Sequence, residues 1–329
     1  MKKTIQWIWK ALVAGIGAAI VLNLFCLIYA YDGVHVTNPT GATDYTWEPK
    51  QLRATMREGF AWFSMDSHGF NNEKDYWEKP DVLLMGSSNM EAAQIAKNEN
   101  TGALLNEMMP DYTTYNIGMS GHTIYRCVDN LENALRVHSP QKSVVLVTDS
   151  VDLSVEEMQT VTEGKSTPIP SYDSGLMYHM QKIPVVKMIY KQISDWIFLQ
   201  GESSQVKEKE DRAEYKEALT EFLGKASKTA EESGVTLMIV YQPPQYFEEN
   251  GDISYEHSDE NVALFKQECS RQNILFSDMT DDFTKMYEEE NLLPHGFSNA
   301  SVIGGHLNKY GHKAIADEIV SHIRELEGN

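Results

Sequence analysis

Cysteine is scarce: three residues in 329, at positions 26, 127 and 269. No two are spaced as Cys-x-x-Cys, which excludes a zinc ribbon or a thioredoxin-like redox motif. Cys26 lies in an apolar run, so only Cys127 and Cys269 could form a disulfide; two buried free thiols are the expectation. Basic charge is also short, with 28 Lys and Arg against 48 Asp and Glu and a formal net charge of −20. Affinity for nucleic acid comes largely from cations that displace counterions, so no nucleic-acid partner is expected. The chain has no glycine-rich phosphate loop and no dinucleotide fingerprint. His306 and His312 stand six apart, off the shared helical face of a zinc-binding His-Glu-x-x-His. No metal and no organic cofactor are implied. Apolar content is not lacking: 42% hydrophobic and 23% charged residues are ordinary for a domain with a full core.

Residues Ala11 to Tyr31 carry no charge and one strongly polar side chain, Asn23. At about 1.5 Å per residue, roughly 20 such residues cross a hydrocarbon layer of ~30 Å. Trp7 and Trp9 precede the run, and Tyr29 and Tyr31 close it, as interfacial aromatics do. Lys2, Lys3 and Lys10 lie before it, and no Lys or Arg follows until Lys50. The positive-inside rule then places the N-terminus in the cytoplasm and the rest outside. A cleaved signal peptide shares these features, but Ile28 and Phe25 stand where cleavage sites need small residues, and the run is long for a signal core. A retained single-pass anchor in the cell membrane is the favoured reading.

Three regions follow from this pattern: 1–31 as cytoplasmic start and anchor, 32–79 as an irregular juxtamembrane segment packing on the domain edge, and 80–329 as an α/β domain. Short apolar runs alternate with helical stretches from Asp81 onward, the signal of βαβ units. The strand candidates are Val82–Met85, Thr113–Ile117, Val144–Val147, Thr236–Tyr241 and Ile274–Phe276, apolar enough to be covered on both faces. Helices are expected at Asp129–Val137, Val206–Ser233, Glu260–Gln272 and Lys309–Leu326. In the last, Ile315, Ile319, Ile323 and Leu326 form one stripe. The expected fold is a flavodoxin-like three-layer α/β/α domain on a five-stranded parallel sheet, preceded by one transmembrane helix. Residues 151–205 break the rhythm and read as an insertion: a substrate lid, a membrane-surface helix, a dimer contact, or a face that packs on the domain.

Two stretches carry chemistry. In Gly86-Ser87-Ser88-Asn89-Met90 a strand ends in a glycine and two serines, and MEAAQIA, a helix-forming run, follows. Parallel sheets present functional groups at the carboxyl ends of strands, and free N–H groups at a helix start favour an oxyanion. Ser88 alone would as readily be a helix cap. In Gly304-Gly305-His306-Leu307-Asn308, a histidine stands just before the last helix, with Asn308 as a cap. A serine nucleophile needs a base, and histidine is the usual one. His122, after Gly121, reads as an ordinary loop residue with a pocket-lining role as the alternative, and Tyr241-Gln242-Pro243-Pro244 as a strand end with a substrate-contacting loop as the alternative.

Together the two stretches resemble the SGNH (GDSL-like) hydrolases, whose first block is Gly-Asp-Ser and whose last is Asp-x-x-His. Gly86-Ser87-Ser88 matches with Ser87 in place of the aspartate, a variant similar to membrane-linked envelope members. Asn116-Ile117-Gly118-Met119-Ser120-Gly121 resembles the second block. The resemblance implies Ser88 as nucleophile, His306 as base, and the N–H groups of Ser88 and Gly121 in an oxyanion hole. It departs in two places. The third block's Asn is absent from Val147-Thr148-Asp149-Ser150, where Ser150 or Thr148 would have to donate to the oxyanion, and Ile303 stands in place of the acid that orients the histidine. The implied activity is that of an extracytoplasmic serine esterase acting on acylated cell-envelope glycans through an acyl-serine. An O-acyltransferase working with an envelope acyl-transfer partner, and a catalytically silent binding module, are the alternatives.

Overall fold

The computed structural model describes residues 2–165, 175–201, 211–248, 251–255, 260–300 and 304–328. The apolar run forms part of one long helix, α1 (Lys2–Ala30). Within it Lys2–Tyr29 is long and apolar enough to cross a membrane, its most apolar 18-residue stretch having a mean hydropathy of 2.5.

The segment expected to be irregular is instead two hairpins. Strands β1 (His35–Thr37) and β2 (Tyr45–Trp47) pair antiparallel, as do β3 (Leu52–Thr55) and β4 (Ala61–Ser64), with Thr55 opposite Ala61. Alternation of side chains across β4, where Ala61 and Phe63 are buried and Trp62 and Ser64 exposed, marks a strand lying on a core. Trp47, Phe63, Met65 and Phe70 join the same hydrophobic cluster as the main sheet, so this segment is part of the domain core.

The main sheet comprises β5 (Val82–Gly86), β6 (Thr114–Asn116), β7 (Ser143–Thr148), β8 (Thr236–Tyr241) and, after a short hairpin β9–β10 (Tyr246–Phe247, Ile253–Ser254), β11 (Leu275–Asp278). Its order is β11-β8-β7-β5-β6, parallel throughout, as the alternating pattern predicts. Helices interleave as α2 (Ser88–Glu91), α3 (Thr101–Met108), α4 (Ile124–His138), α5 (Val155–Thr162), α6 (Gly175–Gln181), α7 (Pro184–Gly201), α8 (Arg212–Glu232), α9 (Glu260–Arg271), α10 (Thr280–Glu288) and α11 (Lys309–Gly328). The period of two divides the strand side chains between two cores. Leu83, Met85, Val144, Leu146, Leu237 and Ile239 pack with α4, α5, α8 and α9. Val82, Leu84, Val145, Val147, Met238 and Val240 meet α3, α10 and the Ile315–Ile319–Ile323 stripe of α11. This is the three-layer arrangement, with the strand carboxyl ends sharing one edge.

Two helices begin away from their expected starts. α4 begins at Ile124, five residues early, because Ile124, Cys127 and Val128 already face the core. α8 starts at Arg212, where Asp211 accepts from the N–H groups of Ala213 and Glu214; residues 206–210 of the expected helix lie outside the described ones. Cys26, Cys127 and Cys269 are buried and unpaired. Burial pushes the Cys127 thiol up to about 12, so it is an inert core group.

Candidate active site

Ser88 is the first residue of α2, directly past the end of β5. That helix is a single turn, which Ala92 ends in the left-handed conformation (φ 54°), rather than the longer helix suggested by the MEAAQIA run. A macrodipole needs length, so electrostatic help at Ser88 comes from local N–H groups. Each neighbour has a separate task. The Asn89 side chain accepts from the Leu307 N–H (2.9 Å), tying the serine turn to the histidine loop. That loop is held from its other side by Gly296 N–H to His306 O (3.0 Å) and Asn308 N–H to Pro294 O (2.9 Å). Asn308 caps α11 by accepting from Tyr310 N–H at 2.9 Å, the role its position predicts.

The structure brings the two singled-out side chains together. His306 Nε2 lies 2.9 Å from Ser88 Oγ, across 218 residues of sequence. The opposite ring nitrogen, Nδ1, lies 2.7 Å from Glu58 Oε2, and Glu58 Oε1 accepts from the His306 N–H at 2.8 Å. A hydroxyl, an imidazole and a carboxylate therefore form one chain, all partly exposed. Burial alone would raise the Glu58 carboxyl, but the hydrogen bonds from the His306 ring and N–H outweigh it and hold the group below its ordinary value. Ile303 lies outside the described residues, and the ring's partner is this glutamate from the N-terminal half of the chain.

Glu58 sits in the turn between β3 and β4, and the local sequence explains how that turn holds it. Gly59 takes a positive φ (71°), and a Cβ there would stand 2.1 Å from Gln94 O, so only glycine fits. Asn299 clamps the same turn: its side chain accepts from Gly59 N–H (2.9 Å) and donates to Met56 O (3.0 Å) and Gly59 O (2.7 Å).

Gly121, at the turn after β6, has φ 79°. Neither its N–H nor that of Ser88 has a hydrogen-bond partner among the described residues. The turn is anchored by Glu91, which accepts from the Ser120 N–H at 2.7 Å while pairing with Arg53 and accepting from Trp47 Nε1 (3.1 Å). Glu91 is fully buried; burial opposes its ionisation, but Arg53 and the Ser120 N–H overcome this and keep its carboxyl low. One carboxylate thus ties the serine turn, the Gly121 turn and the β3–β4 hairpin together. Glu91→Ala would leave the Arg53 charge buried and unpaired, and is expected to cost about 3–5 kcal/mol of stability, measured by chemical denaturation.

Ser150 is placed differently. Its hydroxyl is exposed and donates to Asp152 O (3.4 Å), Thr148 Oγ1 donates to Ser150 O (2.8 Å), and no hydrogen bond joins either hydroxyl to Ser88 or His306 among the described residues. His122 is buried and bonded to Asp44 (3.0 Å), a structural contact. His312 is buried against Thr101 Oγ1 (2.8 Å), and burial pushes it down to about 3, so it is neutral. Gln242, after β8, is fully buried with neither side-chain amide atom bonded among the described residues. No group of metal-ligating side chains occurs among the described residues.

No protein-family model matches this chain, and no curated protein matches it. Solved structures with a similar course include TesA (TM-score 0.42, 12% identity, covering 74% of this chain and 98% of that one). A psychrotrophic esterase, EstA from Pseudoalteromonas sp., inhibited by monoethylphosphonate, gives a TM-score of 0.39 and 15% identity over 76% of this chain and all of that one. An acetyl xylan esterase, AlAXEase, gives 0.41 and 14% over 74% and 98%. At such identities the chemistry of the site rests on its own geometry.

Proposed function

We propose that this chain is a serine esterase of the SGNH kind, in which Ser88, His306 and Glu58 act as nucleophile, base and orienting acid. The observation that carries this reading is the unbroken chain of hydrogen bonds from Ser88 Oγ through both ring nitrogens to Glu58. His306 takes the Ser88 proton at Nε2 as Oγ attacks the acyl carbonyl, then returns it to the leaving alcohol; water reverses the sequence to release the acid. The N–H groups of Ser88 and Gly121 hold the oxyanion. The carboxylate fixes the tautomer with the proton on Nδ1, leaving Nε2 free to accept. Glu58 supplies the orienting acid that position 303 lacks, which answers one of the two departures that favour a silent binding module.

The finer reading places this domain outside the cytoplasmic membrane, tethered by α1, with acylated cell-envelope glycans as substrates. The basic N-terminal flank and the apolar run support the location, and the resemblance to envelope members supports the glycan substrates. A fluorophosphonate probe tests the core of the proposal: the full chain should be labelled and Ser88→Ala should not. Equal labelling of both, or of neither, would sink it. Transfer to a sugar acceptor faster than to water would mark the acyltransferase alternative.

Asn299 touches no reacting atom and acts through Glu58. Asn299→Ala is expected to lower kcat by about ten- to a hundredfold with little change in KM, because a loosened carboxylate misorients the imidazole. Steady-state kinetics on a soluble ester would show the split.

A further inference from the structure

The first half of α7 runs beside the outer end of α1 in the same direction. Val185 N–H donates to Asn23 Oδ1 (3.3 Å), Cys26 Sγ meets Met188 Sδ (3.7 Å), and Lys191 pairs with Asp32 (2.8 Å). Asn23 lies eight residues before Tyr31, about 12 Å below the end of the apolar run at 1.5 Å per residue. An asparagine at that depth needs a partner, and so does a free N–H at the start of a helix. Each satisfies the other here.

The arm formed by α6 and α7 divides into two faces. Tyr178 and Lys182 reach Glu48 of the domain (3.3 and 2.5 Å). With its oxygen turned toward Arg57, the Gln192 amide accepts from both guanidinium nitrogens (2.6 and 2.9 Å), next to Glu58. The other face exposes Leu176, Met177 and Met180 on α6 and Ile189, Tyr190 and Ile193 on α7, spaced as helical stripes. On α1 itself, Val21, Leu22, Leu24, Phe25 and Ile28 are exposed beside the contact with α7.

We infer that the α6–α7 arm is seated in the outer leaflet of the bilayer alongside α1, so that a lipid surface covers its apolar stripe. Resting on the reading of α1 as an anchor, this gives the arm a mechanical role. It braces the turn carrying Glu58 against the membrane and presents the site to esters at the bilayer surface. Exposed apolar stripes on helices packed against a helix able to cross a membrane are what partial immersion requires.

The test uses the full chain in vesicles of phosphatidylcholine and phosphatidylglycerol, with a photo-crosslinking amino acid at Val21, Ile189, Ile193 or Lys228 in separate variants. Lipid adducts are expected at Val21, Ile189 and Ile193, at about tenfold or more over Lys228 on α8. Adducts at Val21 but not at Ile189 and Ile193 would overturn the arm and leave the anchor standing. Chain-to-chain adducts at Ile193 would assign the stripe to a second copy and also overturn it. Absence of lipid adducts at Val21 would overturn the anchor and the arm with it. Esterase activity of each variant, measured beforehand on a soluble ester, reports folding separately.

Discussion

Replacing Ser88 by alanine is expected to lower kcat for an activated ester by about 10⁶, with KM changed little. The size follows from the connectivity. His306 Nε2 has one reacting partner, Ser88 Oγ at 2.9 Å, and without that oxygen no acyl-enzyme forms. What survives is water attacking an ester held against the N–H groups of Ser88 and Gly121, worth a residual ~10³–10⁴ over the uncatalysed reaction. Because the residues act as a unit, His306→Ala should cost about as much, and the double variant little more than either alone. A Ser88→Ala enzyme retaining more than a tenth of its activity would assign the nucleophile elsewhere.

That Ser88 and His306 could be read from the sequence at all is a consequence of where parallel sheets put their chemistry. Val82–Met85 is apolar and short, and the Gly-Ser-Ser after it has to sit at a strand end; Gly304 to Asn308 has to precede the terminal helix. The five strands were legible as apolar runs and α4, α8, α9 and α11 as helical stretches, because apolar patterning records burial; α3, α5 and α10, which also pack on the sheet, were not expected. Glu58 was not. A family pattern places the orienting acid three residues before the histidine, whereas the carboxylate that meets His306 here comes 248 residues earlier along the chain, and contacts at that separation leave no spacing signal. One local signal was present: Glu58-Gly59 lies between Leu52–Thr55 and Ala61–Ser64, two runs that read as strands around a glycine turn. The aromatic and turn-forming residues around that hairpin concealed it, because Trp47, Phe63 and Phe70 are a core contribution rather than an edge decoration. The network centred on Glu91 was hidden too, since a glutamate in a helical run ordinarily reads as a solvated face.

Glu58→Gln separates an orienting acid from a bystander, and is expected to lower kcat by about 10⁴. A carboxylate accepts from two donors at once, the His306 ring at 2.7 Å and the His306 N–H at 2.8 Å. The amide has one acceptor oxygen and turns an NH₂ toward the other donor. It then favours the tautomer whose proton sits on Nε2, where it cannot accept from Ser88. It also supplies no charge to offset the imidazolium that forms during attack. Fluorophosphonate labelling of Ser88 should slow in parallel with kcat, which a purely structural glutamate would not cause. Stability gives an independent reading. The Glu58 carboxyl is held below its ordinary value of 4.5 in the folded chain, so its contribution is complete above that value and fades as pH falls through the lower folded one. The difference in unfolding free energy between wild type and Glu58→Gln should therefore stay level from neutral pH down to the ordinary carboxyl range. It should shrink only in stronger acid. A difference that did not shrink in stronger acid would mean that the Glu58 charge contributes nothing beside His306, and the proposed role for that charge would fall.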